Sequence, residues 1–322
     1  MRAVHVVRLE GPQALELVEV PEPSAAPDAV VVEVHAAGVA WPDLLLSRGQ
    51  YQLKPEPPFA PGGEVAGVVR SAPRDSALVP GQRVAVLTGV GGWQDVVVST
   101  VENVLPLPDG LGLATGAGIA FNYLTVHFGL TRRARLQAGE TVLVHGASGG
   151  IGVATLQLAK AYGARTIAVV SSEAKQAAAR EAGADEVVLA DGFLARVKEL
   201  TGGRGVDVVM DPVGGDRFTD SLRSLAPEGR LLVVGFTGGD IPTVKVNRLL
   251  LNNISVLGVG WGAFLFVEPA YLQQQWSELR TLLEQGQVVP VPVRTHPLED
   301  AAQVLRDMDA RTLTGKAVLT LR

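Results

Sequence analysis

The chain has 322 residues, 47% of them apolar and 19% charged, with a formal net charge of −5 and no cysteine. That length suits two domains with well-buried cores, and neither the charge balance nor any cluster of Lys and Arg among aromatics offers a footprint for nucleic acid. The missing cysteine excludes disulfides, thiolate nucleophiles and cysteine-held zinc together.

From the amino terminus, Met1-Arg2-Ala3-Val4-His5-Val6-Val7 reads as a strand and not a signal peptide, because charge and polarity interrupt it early. No window approaches the uninterrupted apolar length of a membrane span. The expectation is a cytoplasmic enzyme with no membrane or nucleic-acid partner. Up to about Pro108, short apolar runs at Ala29–Val34, Val65–Val69, Arg83–Leu87 and Asp95–Val98 alternate with Pro and Gly. They predict a mostly-β domain of short, partly antiparallel strands. The proline-rich segment Pro55–Glu64 predicts an ordered loop.

From about Ala114 the rhythm changes. A helix is predicted over Thr115–Leu130, and strand–helix units then repeat: Thr141–Val144 with Ile151–Tyr162, Arg165–Val170 with Glu173–Ala182, and Val187–Leu189 with Phe193–Thr201. Val206–Met210, Arg230–Val234 and Ile254–Gly258 supply further strands, with a helix at Asp220–Leu225. Near-continuous Val/Ile/Leu runs fit parallel strands covered on both faces, so the fold class is α/β with a doubly wound parallel sheet. Helices at Tyr271–Gln285 and Leu298–Asp309 follow, then a strand at Lys316–Leu321 expected to pair back into the first domain. The expected division is residues 1–118, residues 119–260, and a carboxyl-terminal segment, 261–322, returning to the first domain.

The most informative stretch is Thr141-Val142-Leu143-Val144-His145-Gly146-Ala147-Ser148-Gly149-Gly150-Ile151-Gly152. A β-branched run enters a turn of small residues, and an Ala/Leu-rich helix leaves it. That arrangement brings backbone N–H groups and the positive end of a helix dipole to a diphosphate. Ala147, Gly149 and Gly152 take the small positions of the dinucleotide fingerprint. In such folds a carboxylate about 20 residues further on binds the adenosine ribose. Here the next strand is followed by Ser171-Ser172-Glu173-Ala174-Lys175. Hydroxyls and an ammonium favour a 2′-phosphate that a carboxylate would repel, which makes NADPH the expected cofactor. Ser171 or Ser172 also suits a helix cap, a role that does not compete with phosphate binding.

With these features in hand, the chain resembles the zinc-independent quinone oxidoreductases of the medium-chain dehydrogenase/reductase superfamily, the zeta-crystallin-like family, over nearly its whole length. The ordered motifs are Gly38-Val39-Ala40-Trp41-Pro42-Asp43 with Arg48-Gly49-Gln50-Tyr51, Pro61-Gly62-Gly63-Glu64-Val65-Ala66-Gly67-Val68-Val69, and Pro80-Gly81-Gln82-Arg83-Val84. Gly91-Gly92-Trp93-Gln94-Asp95, the glycine loop with Gln157-Leu158-Ala159-Lys160, Asp211-Pro212-Val213-Gly214, Val234-Gly235-Phe236 and Thr314-Gly315-Lys316-Ala317-Val318-Leu319 complete the series. Zinc alcohol dehydrogenases of this superfamily carry a cysteine in the first motif and Gly-His-Glu in the second. Ala40 and Gly63 stand at those positions, and neither has a donor for a Lewis-acid metal.

The resemblance implies a GroES-like, mostly-β catalytic domain and a Rossmann domain binding NADPH. It also implies metal-free hydride transfer to a quinone or other activated α,β-unsaturated carbonyl, and a homodimer formed by edge pairing around Asn252–Gly258. The diphosphate would rest on Ser148, Gly149, Gly150 and Ile151, and the 2′-phosphate on Ser171, Ser172 and Lys175. Thr125, Val213, Val234, Gly235, Phe236, Thr237, Val259 and Gly260 would surround the nicotinamide riboside, and Tyr51 would position the substrate carbonyl. Thr125 equally fits a helix threonine bonding its own backbone, and Tyr51 a surface tyrosine. The family asparagine near the nicotinamide is Ala40, and the tyrosine on the adenosine ribose is Ala190 or Asp191. Asp43 and Glu64 read as structural, Glu64 paired with an arginine, and the five histidines as packed or surface groups. A trans-2-enoyl thioester reductase and a non-catalytic NADPH-binding protein are the alternative readings of the same fold.

Overall fold

Branched apolar residues spaced by Gly and Pro build the first half of the chain into antiparallel sheet. The computed structural model describes all 322 residues. They form two compact units, one of residues 1–121, 269–284 and 292–322 and one of residues 122–268 and 285–291. The first unit opens with a hairpin of β1 (Arg2–Val6) and β2 (Leu15–Glu19), then β3 (Val30–Gly38), helix α1 (Trp41–Ser47), β4 (Glu64–Ser71), β5 (Arg83–Leu87), β6 (Val96–Ser99) and β7 (Val104–Pro106). Val30, Val32 and Val34 alternate inward along β3 and are fully buried, as expected for one face of a pleated strand on a core. Trp93 is buried beside them and donates its indole N–H to Gly38 O at 3.1 Å. Residues 51–63 hold no strand or helix beyond an isolated bridge at Phe59, in keeping with their prolines.

Helix α2 (Leu113–His127) runs on into a π-helical turn, Phe128–Arg133. The second unit then alternates strand and helix: β8 (Thr141–His145), α3 (Gly150–Ala161), β9 (Arg165–Val170), α4 (Gln176–Glu181), β10 (Glu186–Leu189), α5 (Phe193–Leu200), β11 (Val206–Asp211), α6 (Phe218–Ser224), β12 (Leu225–Val233), α7 (Asn247–Asn252), β13 (Ser255–Gly258) and α8 (Trp261–Val267). All pairings in this sheet are parallel, in the order β10-β9-β8-β11-β12-β13. The direction in which successive strands are added reverses between β8 and β11. A crevice opens at such a switch point, outside the carboxyl ends of the strands. Leu143, Ile167, Val209 and Leu231 fill the core beneath it.

The tail returns to the first unit through α9 (Tyr271–Glu284), β14 (Arg294–Pro297), α10 (Ala301–Asp309) and β15 (Ala317–Thr320). β15 pairs antiparallel with β3, as the sequence predicts for the last strand, and the sheet order becomes β14-β15-β3-β4-β5-β7, with β6 also on β3. Residues 285–291 pack in the second unit, where Val289 O accepts from Gln157 Nε2 at 2.6 Å. No helix is long and apolar enough to cross a membrane.

Candidate functional site

The turn between β8 and α3 is fixed by backbone contacts that only small residues permit. Gly146 has φ +58°, and a Cβ on Gly152 would overlap Gly146 O and the Ala147 backbone. Gly149 N–H bonds Gly146 O at 2.9 Å and Ala147 N–H bonds Val169 O at 3.2 Å, so the turn is held against the end of β9. Gly149 caps α3 without a side-chain hydrogen bond, and the first turn holds no acidic residue. An uncapped helix start with free amide donors suits an anion. The residues present therefore fit a dinucleotide diphosphate.

Neighbouring strand ends close around this turn. Asp211, the last residue of β11, accepts the N–H groups of Val213 and Gly214 through one oxygen at 2.9 Å each, and so shapes the following loop. Val213 Cγ2 would lie 3.3 Å from a Cβ at Gly146, which puts Val213 against the glycine loop. Val234, Thr237 and Gly238 donate backbone N–H groups to Asp211 O, Pro212 O and Val213 O. Phe236 packs over Gly214, and Val259 continues the β12–β13 pairing through Val233 O at 2.9 Å. Ser148, Gly149, Gly150, Ile151, Val213, Val234, Gly235, Phe236, Thr237, Val259 and Gly260 thus gather at one edge of one sheet, and Thr125 lies buried on α2. Gly129, one turn beyond Thr125, packs beside Val259 and Leu232.

Ser171 and Ser172 are exposed just past β9, and Lys175 is half-buried in the short 3₁₀ turn that follows. The predicted helix over Glu173–Ala182 is this turn plus α4. Ser172 holds the cap position without making a cap hydrogen bond, and Glu173 is exposed. Ala190 N–H bonds Val170 O at 2.8 Å, so a small side chain flanks the end of β9.

Tyr51 belongs to the first unit, half-buried beyond α1. Burial and the charge of Asp43 push its phenol above the ordinary range. Asp43 is fully buried and accepts the N–H groups of Ala40 at 2.8 Å and Gly62 at 2.9 Å, which bears out a structural acceptor. Burial raises its carboxyl to about 6 against those two hydrogen bonds. Glu64 is buried too, but its partner is Lys316 at 2.5 Å and not the expected arginine. A lysine stem threads past Gly118 to reach it, a contact between distant parts of the chain that no local pattern announces.

His145 is wholly buried and within 2.8 Å of Ser221 Oγ. Ser221 Oγ also bonds Arg217 O at 3.0 Å, so the serine sits between the imidazole and that carbonyl. Burial pushes this imidazole down to about 4 and keeps it neutral. No three His, Asp or Glu side chains converge as a metal-binding group, and Ala40 and Gly63 offer no side-chain donor.

Known proteins resemble the chain over most of its length. Residues 26–109 match the family model of the alcohol dehydrogenase GroES-like domain, and residues 150–285 that of the zinc-binding dehydrogenase. Quinone oxidoreductase-like protein 2 of Rattus norvegicus is 37% identical over 314 residues, covering 96% of this chain and 90% of the relative. The chain belongs to the quinone oxidoreductase family of the medium-chain dehydrogenase/reductases. The resemblance read from the motifs is borne out, as is the fold of GroES-like and Rossmann parts. This family member is an oxidoreductase. A probable oxidoreductase from Mycobacterium abscessus superposes with a TM-score of 0.91 at 45% identity, covering 99% of this chain and 98% of the other. The quinone oxidoreductase from Thermus thermophilus, solved alone and with NADPH, gives 0.86 at 35% identity, covering 100% of both chains.

One residue absent from the sequence-based set stands beside the glycine loop. Asn122 on α2 stands against Gly150, where its amide nitrogen would overlap a Cβ. Only the asparagine in Asn122-Tyr123-Leu124-Thr125, three positions before Thr125, could have flagged it, since i and i+3 share a helix face.

Proposed function

We propose that the protein is an NADPH-dependent reductase that passes a hydride to a quinone or another activated α,β-unsaturated carbonyl without a metal ion. The observation that carries this reading is the uncapped start of α3 at the switch point, beside a strand followed by Ser171, Ser172 and Lys175 where a carboxylate would select NADH. Membership of the family supports it, as does the relative solved with NADPH. Backbone amides of Ser148, Gly149, Gly150 and Ile151 hold the diphosphate, and Ser171, Ser172 and Lys175 hold the 2′-phosphate. Val213, Val234, Gly235, Phe236 and Thr237 flank the nicotinamide ribose. Thr125, Val259 and Gly260 meet the carboxamide.

When bound, the cofactor supplies a hydride from its nicotinamide ring to the electron-poor acceptor. The overall change is NADPH, a proton and a quinone to NADP⁺ and a hydroquinone. Conjugation stabilises the oxyanion left on the acceptor, and solvent can protonate it. The buried acids and bases fit this economy, because Asp43, Glu64 and His145 are all engaged with partners. Tyr51, whose phenol stays protonated, is the group assigned to the acceptor carbonyl. The protein's share is to position the two reactants and exclude water. Ala40 and Gly63 support a metal-free step, since a Lewis-acid site of the superfamily kind needs side-chain donors there.

A homodimer is part of the same reading. β13 is the edge strand of its sheet, and Leu250 and Leu251 on the adjoining α7 are 76% and 75% exposed. Unpaired edges next to apolar surface are commonly closed by a second copy. NADPH oxidation with a panel of quinones and enoyl thioesters tests the activity. Turnover of quinones is expected. Turnover of enoyl thioesters alone would make the protein an acyl thioester reductase, and NADPH binding without turnover of any acceptor a non-catalytic one.

A further inference from the structure

We propose that Asn122 is a further cofactor-binding residue, donating from Nδ2 to the diphosphate at the start of α3. This rests on the nucleotide site proposed above and adds a side chain to a cradle otherwise made of backbone.

Asn122 is only 7% exposed and its carboxamide enters none of the chain's side-chain hydrogen bonds, while its polar atoms are not among those sealed from solvent. A carboxamide this enclosed is usually satisfied by the protein, because desolvating it without a partner is costly, so one left open to solvent at a crevice is available to a ligand. The direction it faces accounts for the exception. Of its atoms, the amide nitrogen lies nearest the position a Cβ would take on Gly150, ahead of Cγ and Oδ1. A carboxamide serving the helix start alone would turn its oxygen toward the N–H groups. Here the donor end is the one turned to the helix start, and the complement of donors gathered there is an anion.

The surroundings hold it there. Tyr123, the next residue, is 5% exposed and donates its hydroxyl to Gln157 Oε1 at 2.6 Å, and Gln157 Nε2 donates to Val289 O at 2.6 Å. Gln157 lies on α3 itself, so this chain of bonds locks α2 against α3 in one register. Asn122, Thr125 and Gly129 follow at helical spacing, running from Gly150 at one end to Val259 at the other. Asn122 faces the diphosphate end of the assigned site and Gly129 the nicotinamide end. The tight approach also explains Gly150, since any side chain there would displace the carboxamide.

The test is isothermal titration of the parent, Asn122→Ala and Asn122→Asp with NADPH and with adenosine 2′-monophosphate, which lacks the diphosphate, alongside thermal unfolding without ligand. Loss of one charge-assisted hydrogen bond predicts about tenfold weaker NADPH binding in Asn122→Ala. Asn122→Asp should bind NADPH more weakly still, while its unfolding temperature holds or rises because a carboxylate suits a helix start. Adenosine 2′-monophosphate should bind all three proteins equally. NADPH affinity unchanged in both variants would overturn the assignment, as would equal loss of both ligands, the mark of a merely structural role. If the parent itself failed to bind NADPH, the nucleotide site would fall and this assignment with it.

Discussion

Lys316 Nζ lies 2.5 Å from Glu64 Oε1, and both side chains are shut away from water. The second carboxylate oxygen accepts the backbone N–H of Phe121 at 2.7 Å. The pair therefore pins the start of β4, the approach to β15 and helix α2 to one another. Removing one partner leaves a buried charge uncompensated, so Lys316→Met should cost about 3–5 kcal/mol in denaturant unfolding. Adding Glu64→Gln to that variant should recover part of the loss. A cost below about 1 kcal/mol would put the pair among solvated surface bridges instead.

Asp43 and His145 make opposite contributions to stability against pH. Asp43 is raised to about 6 from 3.8, so the folded state holds its proton longer than the unfolded chain does. Stability on its account is full in acid and falls as pH rises through that interval, by up to about 3 kcal/mol. His145 is pushed down to about 4 from 6.5, so stability on its account falls as pH drops below the higher value. Because the two nearly cancel, each needs its own variant. The stability of the parent relative to Asp43→Asn should decrease between about pH 4 and pH 7, flattening at the upper end. A difference independent of pH would contradict the buried-carboxyl account.

Lys175 carries the only full positive charge assigned to the 2′-phosphate. Lys175→Ala should weaken NADPH about tenfold or more, the worth of a charged hydrogen bond, and leave NADH unchanged. Parallel calorimetric titrations check this. Equal losses for the two cofactors would place the lysine elsewhere in function.

Leu251 stands 75% exposed beside the edge strand β13. A parent protein of dimeric mass by light scattering, and a monomer on Leu251→Glu, is the expected pair of results. A parent that is already monomeric would end the proposal of edge pairing.

Much of this was legible in the residues, and the failures have causes. Strands with uninterrupted branched runs, such as Arg83–Leu87 and Arg165–Val170, appear with the predicted bounds. β12 starts at Leu225, ahead of the predicted Arg230, because Leu225 pairs with Val206 of β11 before an irregularity at which Glu228 takes φ +64°, and regular pairing resumes only at Arg230. Helix α1 went unread because Trp41-Pro42 looks like a loop, though proline is at home in a first helical turn. Helices α7 and α8 span only six and seven residues, and α8 is apolar all round, so neither shows the repeating one-sided stripe that marks a helix in sequence. The glycine loop was legible because its chemistry is local. The partner of Glu64 and the place of Asn122 depend on how separate elements pack, which no spacing along the chain encodes.

The account stands on one cofactor preference. Calorimetric titration of the unmodified protein with NADPH and with NADH tests it most directly. It predicts a single NADPH site with at least about tenfold lower Kd than for NADH, in line with one charged phosphate contact. Equal weak affinity for the two, or no heat with either, would contradict it.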